Sequence, residues 1–283
     1  MTLTGKIQRR VYLILSRAVY FLAYPVLLAF ALSGSEKWRN RLGWGFDLSS
    51  LFEGYNKESK RAILVWAHAA SVGEVRALSI LIHKYLGDSA DTRALITVMT
   101  DTGHATARTE FHDYIEREMV VVRYLPLDCC GRLEGIIKSA SPNLFVFIET
   151  EIWPRWIEAL DKTGVAIALV NARISLKSFP RYFYFRSWIG SLLRRYAIIL
   201  AQNEGDKERF LALGVQAEKI HVTGNLKFSA HVKTSNAKER EKILDSLGLK
   251  ATDRILVAGS VRPAEESGLI KSYVTLKKEF PIL

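Results

Sequence analysis

The chain has 283 residues, more than one average domain, and 49% of them are hydrophobic, which is enough to bury a sizeable core and excludes a disordered polypeptide. Forty Lys plus Arg against 29 Asp plus Glu leave a formal charge of +11, favouring an anionic partner such as nucleic acid, anionic lipid or a phosphorylated substrate. The bases are scattered and no nucleic-acid recognition motif accompanies them, so nucleic acid is set aside.

The first element is the apolar stretch Val11 to Leu32, long enough for the roughly 20 residues that a spanning helix needs. Arg17 divides it and Pro25 predicts a kink, so a shallow or tilted insertion competes with a full span. Lys6, Arg9 and Arg10 precede it, and Lys37, Arg39 and Arg41 follow, so the positive-inside rule sets no orientation. Bases on both sides suit an element lying on an anionic leaflet. A cleaved signal peptide is a second reading, with Ala29-Phe30-Ala31 as its cleavage site, although Arg17 opposes it. A buried core helix is the third.

From Arg61 onward, short β-rich runs alternate with stretches of helical length. The runs are Ile63 to His68, Leu95 to Thr100, Met119 to Leu125, Leu144 to Glu149, Val165 to Asn171, Ile198 to Gln202 and Ile220 to Thr223. They are almost continuously hydrophobic, as strands covered by helices on both faces must be, and they predict a doubly wound parallel α/β sheet. Cys129 and Cys130 are the only cysteines; vicinal thiols rarely pair, so they form neither a disulfide framework nor a metal-ligand spacing, and a reducing compartment fits them. A Lys-rich stretch, residues 229–253, reads as a linker containing a helix at Ala237 to Leu247. One more strand, Ile255 to Gly259, leads into a helix from about Ala264. A single βα unit cannot bury its own apolar faces, so residues 254–283 are expected to be an incomplete second domain that needs a partner.

In parallel sheets ligands bind beyond the carboxyl ends of the strands. After the first strand comes His68-Ala69-Ala70-Ser71-Val72-Gly73-Glu74, in which small residues permit close approach and free N–H groups can meet an anion. Glu74 would stand in the first helical turn, either as a general base or as a complement to the helix dipole. Thr100-Asp101-Thr102-Gly103 after the second strand is an N-cap sequence that could also present the Thr102 hydroxyl. Glu149-Thr150-Glu151-Ile152-Trp153-Pro154 ends the fourth strand, with Pro154 suited to open a helix. Its two carboxylates call for a cationic partner or a sugar's hydroxyls. Arg173, after the fifth strand, could neutralise Glu149 and Glu151 or grip a substrate carboxylate. Lys227 lies in Gly224-Asn225-Leu226-Lys227-Phe228, after the last strand of the first domain. No G-x-G-x-x-G follows a strand, and neither a P-loop nor a G-x-S-x-G occurs, which disfavours dinucleotide oxidoreductases, P-loop NTPases and α/β-hydrolases.

Taken in order, these segments, with Pro126-Leu127-Asp128 and Gln202-Asn203-Glu204 plus Asp206, resemble the 3-deoxy-D-manno-octulosonic acid (Kdo) transferases of the Gram-negative envelope. The resemblance implies a GT-B fold, in which residues 36–228 form a Rossmann-like acceptor domain behind an N-terminal anchor, residues 1–35. It also implies CMP-Kdo as donor substrate, a lipid A precursor as acceptor, inversion, no catalytic metal or cofactor, and the cytoplasmic face of the inner membrane. By the same resemblance Glu74 is the catalytic base, and Ser71, Gly73, Thr102, Glu149, Glu151, Arg173 and Lys227 bind substrate. The chain departs from the family at Ser229, where Asp is usual, and at Ser260-Val261-Arg262, where Ser-Thr-His is usual. The family's cytidine-binding motifs lie beyond Leu283, so a complementing C-terminal polypeptide is an expected partner, and a non-catalytic lipid-binding remnant is the alternative reading.

Overall fold

The computed structural model describes residues 2–46, 63–87, 92–228, 237–250, 253 and 255–279. The chain divides into two units, Met1–Ala230 and His231–Leu283. In the first, seven strands form one parallel sheet: β1 (Ile63–Ala69), β2 (Thr92–Val98), β3 (Val120–Tyr124), β4 (Leu144–Ile148), β5 (Ala166–Ala172), β6 (Ile198–Ala201) and β7 (Ile220–Val222). Their order is β3-β2-β1-β4-β5-β6-β7, so the direction of winding reverses between β1 and β4. The expected doubly wound α/β sheet is present. β2 begins earlier than its apolar run, because Thr92 pairs with Ile63 of β1, and it stops at Val98 because Thr100 turns to cap the next helix.

Alternation along the strands sorts the core into two faces. Leu64, Trp66, Phe145, Phe147, Leu169 and Ile199 join one cluster, with Trp156 and Tyr196 packed among them. Val65, Ala67, Ile96, Val122, Val146 and Val170 face the other way. The second face is built from smaller side chains, and it receives α3 (Val72–Gly87) through Val75, Leu78 and Ile82. The first is covered by α6 (Leu133–Ala140), α7 (Pro154–Thr163), α9 (Arg186–Leu193) and α10 (Glu204–Ala212). α4 (Asp101–Glu110), α5 (His112–Glu116) and α8 (Phe179–Tyr184) complete the βα connections.

Two further helices precede the sheet: α1 (Leu3–Leu32) and α2 (Glu36–Arg41). α1 lies along the unit for its whole length. Gly5 and Ala31, near its two ends, are both buried. Arg9 grips Glu158 of α7 with bonds of 2.5 and 2.7 Å, Tyr12 packs 5.1 Å from Trp188, and Phe30 stacks on Trp38. Its outward side is apolar and exposed: Leu3, Ile14, Leu15, Phe21, Leu22 and Leu32. α1 is therefore not a buried core helix, and by length and composition it could cross a membrane.

Asp128 ties α1 to the sheet unit. It is buried, and it accepts from the backbone N–H groups of Arg155 and Trp156, both at 3.0 Å, and from the Tyr12 hydroxyl. Pro154 opens α7 without an N–H, so Asp128 satisfies the next two donors from outside the helix.

The second unit is described by itself. It contains α11 (Ala237–Ser246) and α12 (Pro263–Glu279), in line with the two helices expected there. The expected strand at Ile255 to Gly259 is absent: these residues are irregular, and Ile255, Leu256 and Val257 are exposed. A strand exists only by hydrogen-bonding to a neighbour, and the described residues of this unit supply no second extended segment. The first part of the expected linker, residues 229–236, lies outside the described residues.

Asp128→Ala leaves two helix-start N–H groups unpaired and is expected to destabilise the first unit by about 1–3 kcal/mol. Urea unfolding should show a lower midpoint at unchanged slope; a wild-type midpoint would mean that these bonds contribute nothing.

Candidate active site

β1 and β4 are neighbours at the point where the strand order reverses, and the polar residues that follow them converge on the crevice this creates. Glu74 sits in the first turn of α3. One of its carboxylate oxygens accepts from the Ala70 N–H at 2.7 Å and the other from the Ser71 hydroxyl at 2.9 Å, while Ser71 Oγ receives the Glu74 N–H at 3.4 Å. This reciprocal arrangement is a variant of the capping box, and it fixes the carboxylate at the head of the helix. Burial raises the Glu74 pKa above the usual carboxylate range; the Ala70 and Ser71 hydrogen bonds oppose the rise and the charge of Glu149 adds to it.

Glu149 is buried and adopts a left-handed backbone, φ 61°, directly after β4. A non-glycine residue in this region costs of order 1–3 kcal/mol and persists only where its surroundings hold it. Here its N–H donates to Val170 O at 2.9 Å, and its carboxylate is held by two cations. Arg173 reaches Oε2 through Nε at 2.9 Å and Nη2 at 2.8 Å, and Lys227 Nζ reaches Oε1 at 3.2 Å. Arg173 thus pairs with Glu149 and not, as the sequence had also allowed, with Glu151.

Lys227 owes its place to Asn171, another left-handed residue, φ 55°, in β5. The Asn171 side-chain oxygen accepts from the Leu226 N–H at 3.1 Å, its carbonyl accepts from Gln202 Nε2 at 3.0 Å, and Asn225 Oδ1 accepts from the Lys227 N–H at 3.0 Å. These bonds fold the loop after β7 back over the sheet edge. Lys227 Nζ ends 3.7 Å from where a side chain on Gly73 would begin. At that distance a Cβ would make only ordinary van der Waals contact, so the approach of Lys227 does not require glycine at 73.

Glu151 is treated differently from Glu149. Among the described residues no Lys or Arg reaches it; Trp153 Nε1 donates to its Oε2 at 2.5 Å, and His68 Nε2 lies 3.9 Å from the same oxygen. Burial first and the charge of Glu74 next push its pKa up to about 7, against the indole hydrogen bond and with a further rise from Glu149. The structure therefore brings together Ser71, Gly73, Glu74, Glu149, Glu151, Arg173 and Lys227. Thr102 is not among them: its hydroxyl donates to Thr100 Oγ1 at 3.3 Å, within the cap of α4. Among the described residues, no three His, Cys, Asp or Glu side chains are grouped so as to hold a metal ion.

The family model described as 3-deoxy-D-manno-octulosonic-acid transferase (kdotransferase) matches residues 36–230, which hold every residue of this crevice. The chain belongs to the Kdo transferase family. It is 30% identical over 220 residues to the 3-deoxy-D-manno-octulosonic acid transferase of Chlamydophila psittaci, covering 78% of this chain and 50% of the relative. The enzyme of the same name from Haemophilus influenzae is also 30% identical, with 77% and 50% covered. A bifunctional glycosyltransferase/methyltransferase from Fusobacterium nucleatum is 33% identical over 213 residues, 75% of this chain and 32% of that protein. The chain thus spans a third to a half of the length of these relatives. Among solved structures, UDP-GlcNAc 2-epimerase from Neisseria meningitidis superimposes with a TM-score of 0.53 at 11% identity, covering 78% of this chain and 64% of the epimerase. A UDP-N-acetylglucosamine 2-epimerase from Listeria monocytogenes gives 0.52 at 14%, covering 78% and 60%. At such identities the likeness concerns the fold, which is of the GT-B type.

Sequence reasoning passed over His68 and Trp153 as members of this Kdo transferase site. The available signal for His68 was its isolation as the one imidazole in an otherwise apolar strand; for Trp153, nothing but proximity to Glu151 marked it.

A carboxyl whose folded pKa is raised binds its proton more tightly in the native state, so stability is greatest below the unfolded value and falls as pH rises toward the folded one. For Glu151 that window runs from the ordinary glutamate value of 4.5 to about 7. Unfolding midpoints are expected to fall across it, and Glu151→Gln is expected to flatten the decline and to be the more stable form at pH 8. An equal slope in both proteins would place the titration elsewhere.

Proposed function

We propose that this chain is the acceptor-binding part of a Kdo transferase that moves Kdo from CMP-Kdo to a lipid A precursor, at the cytoplasmic face of the inner membrane. The observation that carries the reading is the meeting of Glu74 with the Glu149, Arg173 and Lys227 group at the strand-order reversal of a sheet whose family is known. Glu74 serves as general base. The acceptor's sugar oxygen attacks the transferred carbon of the donor, the bond from that carbon to the CMP phosphate breaks with the electron pair leaving on CMP, and the hydroxyl proton passes to Glu74. Two of the roughly four acceptor positions on its carboxylate are occupied by Ala70 and Ser71, which aims the remaining ones. Arg173 and Lys227 present cationic donors to the acid group of the sugar or to phosphate, and Glu149 holds both in place. Ser71, Gly73 and Glu151 line the acceptor side.

The exposed apolar side of α1 supports membrane attachment. A recess between α1 and helices α6 and α7, lined by Arg9, Arg17, Arg155 and Lys162 together with Glu134 and Glu158, supports an anionic lipid surface on that side. A second reading, a non-catalytic lipid-binding module, is favoured by one observation: Glu74 is fully accounted for as a helix-capping residue.

In a transfer assay with CMP-Kdo and lipid A precursor, Glu74→Gln is expected to lower the rate of Kdo transfer roughly 10²–10⁴-fold. A rate unchanged by that substitution removes the catalytic assignment and leaves the lipid-binding module. Separately, sedimentation with anionic vesicles should weaken with salt, and replacing Leu15 and Leu22 by Glu should release the protein into the supernatant. Retention of that double variant on vesicles would refute attachment through α1.

A further inference from the structure

His68 is fully buried in β1, and its hydrogen bonds determine which ring nitrogen carries the proton. Nδ1 lies 2.9 Å from the Thr97 carbonyl oxygen, which can only accept, so Nδ1 bears the hydrogen. Burial pushes the imidazole pKa down to about 3, so the ring is neutral and Nε2 is a bare lone pair. That lone pair is buried without a partner. An unmatched buried acceptor is unfavourable, and the group it faces is Glu151, 3.9 Å away. A carboxylate there would set lone pair against lone pair; a carboxylic acid there can donate.

The other groups facing Glu151 point the same way. Glu74 from α3 and Glu149 after β4 are both acidic, and the half-buried Tyr182 of α8 and the buried Tyr196 are phenols that feel its charge. Among the described residues the indole of Trp153 is the one donor hydrogen-bonded to its carboxyl group, the Tyr196 hydroxyl donating instead to its backbone carbonyl at 3.2 Å, and no basic side chain compensates it. Glu149, by contrast, already has Arg173 and Lys227.

We propose that His68 is a positioning residue that keeps the proton of the Glu74 and Glu151 pair on Glu151, whose carboxyl donates to His68 Nε2, so that Glu74 remains the ionised member. The Glu151 hydroxyl oxygen closes toward Nε2 while still accepting the Trp153 N–H. The crevice then holds one carboxylate neutralised by cations, one neutralised by its own proton, and one, Glu74, that is charged and able to take a proton. This role rests on the assignment of Glu74 as base, but the proton's location is measurable without turnover.

Two measurements on the 283-residue chain at neutral pH decide it. Nitrogen-15 NMR of histidine-labelled protein should show His68 with Nδ1 protonated and Nε2 as a hydrogen-bonded lone pair; an Nε2–H tautomer or an imidazolium overturns the proposal. Infrared spectra should show a protonated carboxyl band that is lost in Glu151→Gln and kept in Glu74→Gln; loss in Glu74→Gln alone places the proton on Glu74 and overturns it equally. In His68→Phe the band's titration midpoint should fall by about one pH unit, a tenfold weaker hold on the proton. An unchanged midpoint in a folded variant removes His68 from the role. Should the spectra agree while Glu74→Gln leaves transfer intact, the proton assignment stands and the base assignment falls.

Discussion

The reversal of strand order between β1 and β4 is the constraint on which the site depends. β1 continues toward β2 and β3, whereas β4 continues toward β5, β6 and β7, so the segments leaving the two central strands diverge and open a crevice at their carboxyl edge. The pairing of Val65 through His68 with Leu144 through Phe147 sets Glu74 on one bank at a fixed offset from Glu149 and Glu151 on the other. The two-faced core beneath holds that register, because a slip of one residue would exchange Trp66 and Phe145 with the small side chains of the opposite face.

Three carboxyl groups in one crevice repel one another, and the fold answers each in a different way. Glu74 receives a backbone N–H and a hydroxyl at the head of α3. Glu149 receives two cations, at the cost of a left-handed backbone that its bond to Val170 helps to hold. Glu151 receives an indole N–H and is largely withdrawn from water, which, with the charge of Glu74, raises its pKa to about 7. Groups of one chemical type are thereby given different electrostatic surroundings, a condition for assigning distinct roles within one site.

The elements that could be read from the residues are those governed by local chemistry. The seven apolar runs became seven strands, Thr100 capped its helix and Pro154 opened another. Ile255 to Gly259 has the same apolar character and forms no strand, because a strand is a relation between two segments and the described residues of its unit supply no partner. Arg173 was correctly paired with an acidic residue, but the choice of Glu149 over Glu151 depends on how the chain turns after β4 and β5. Thr102 shared the sequence context of the site residues yet spends its hydroxyl on Thr100. Lys227 was placed only by Asn171, Gln202 and Asn225, three residues whose joint effect no single-sequence pattern displays.

Sequence by itself determined the class of fold, the position of Glu74 in a first helical turn and the ordered motifs of the Kdo transferase family, since each follows from residue type and spacing along one chain. Tertiary structure alone decided which strands are neighbours, that α1 lies along the unit with its apolar side outward, and that His68 turns an unmatched lone pair toward Glu151. The physical reason is that protonation and pairing depend on distance and burial, and both are set by contacts between residues remote in the chain.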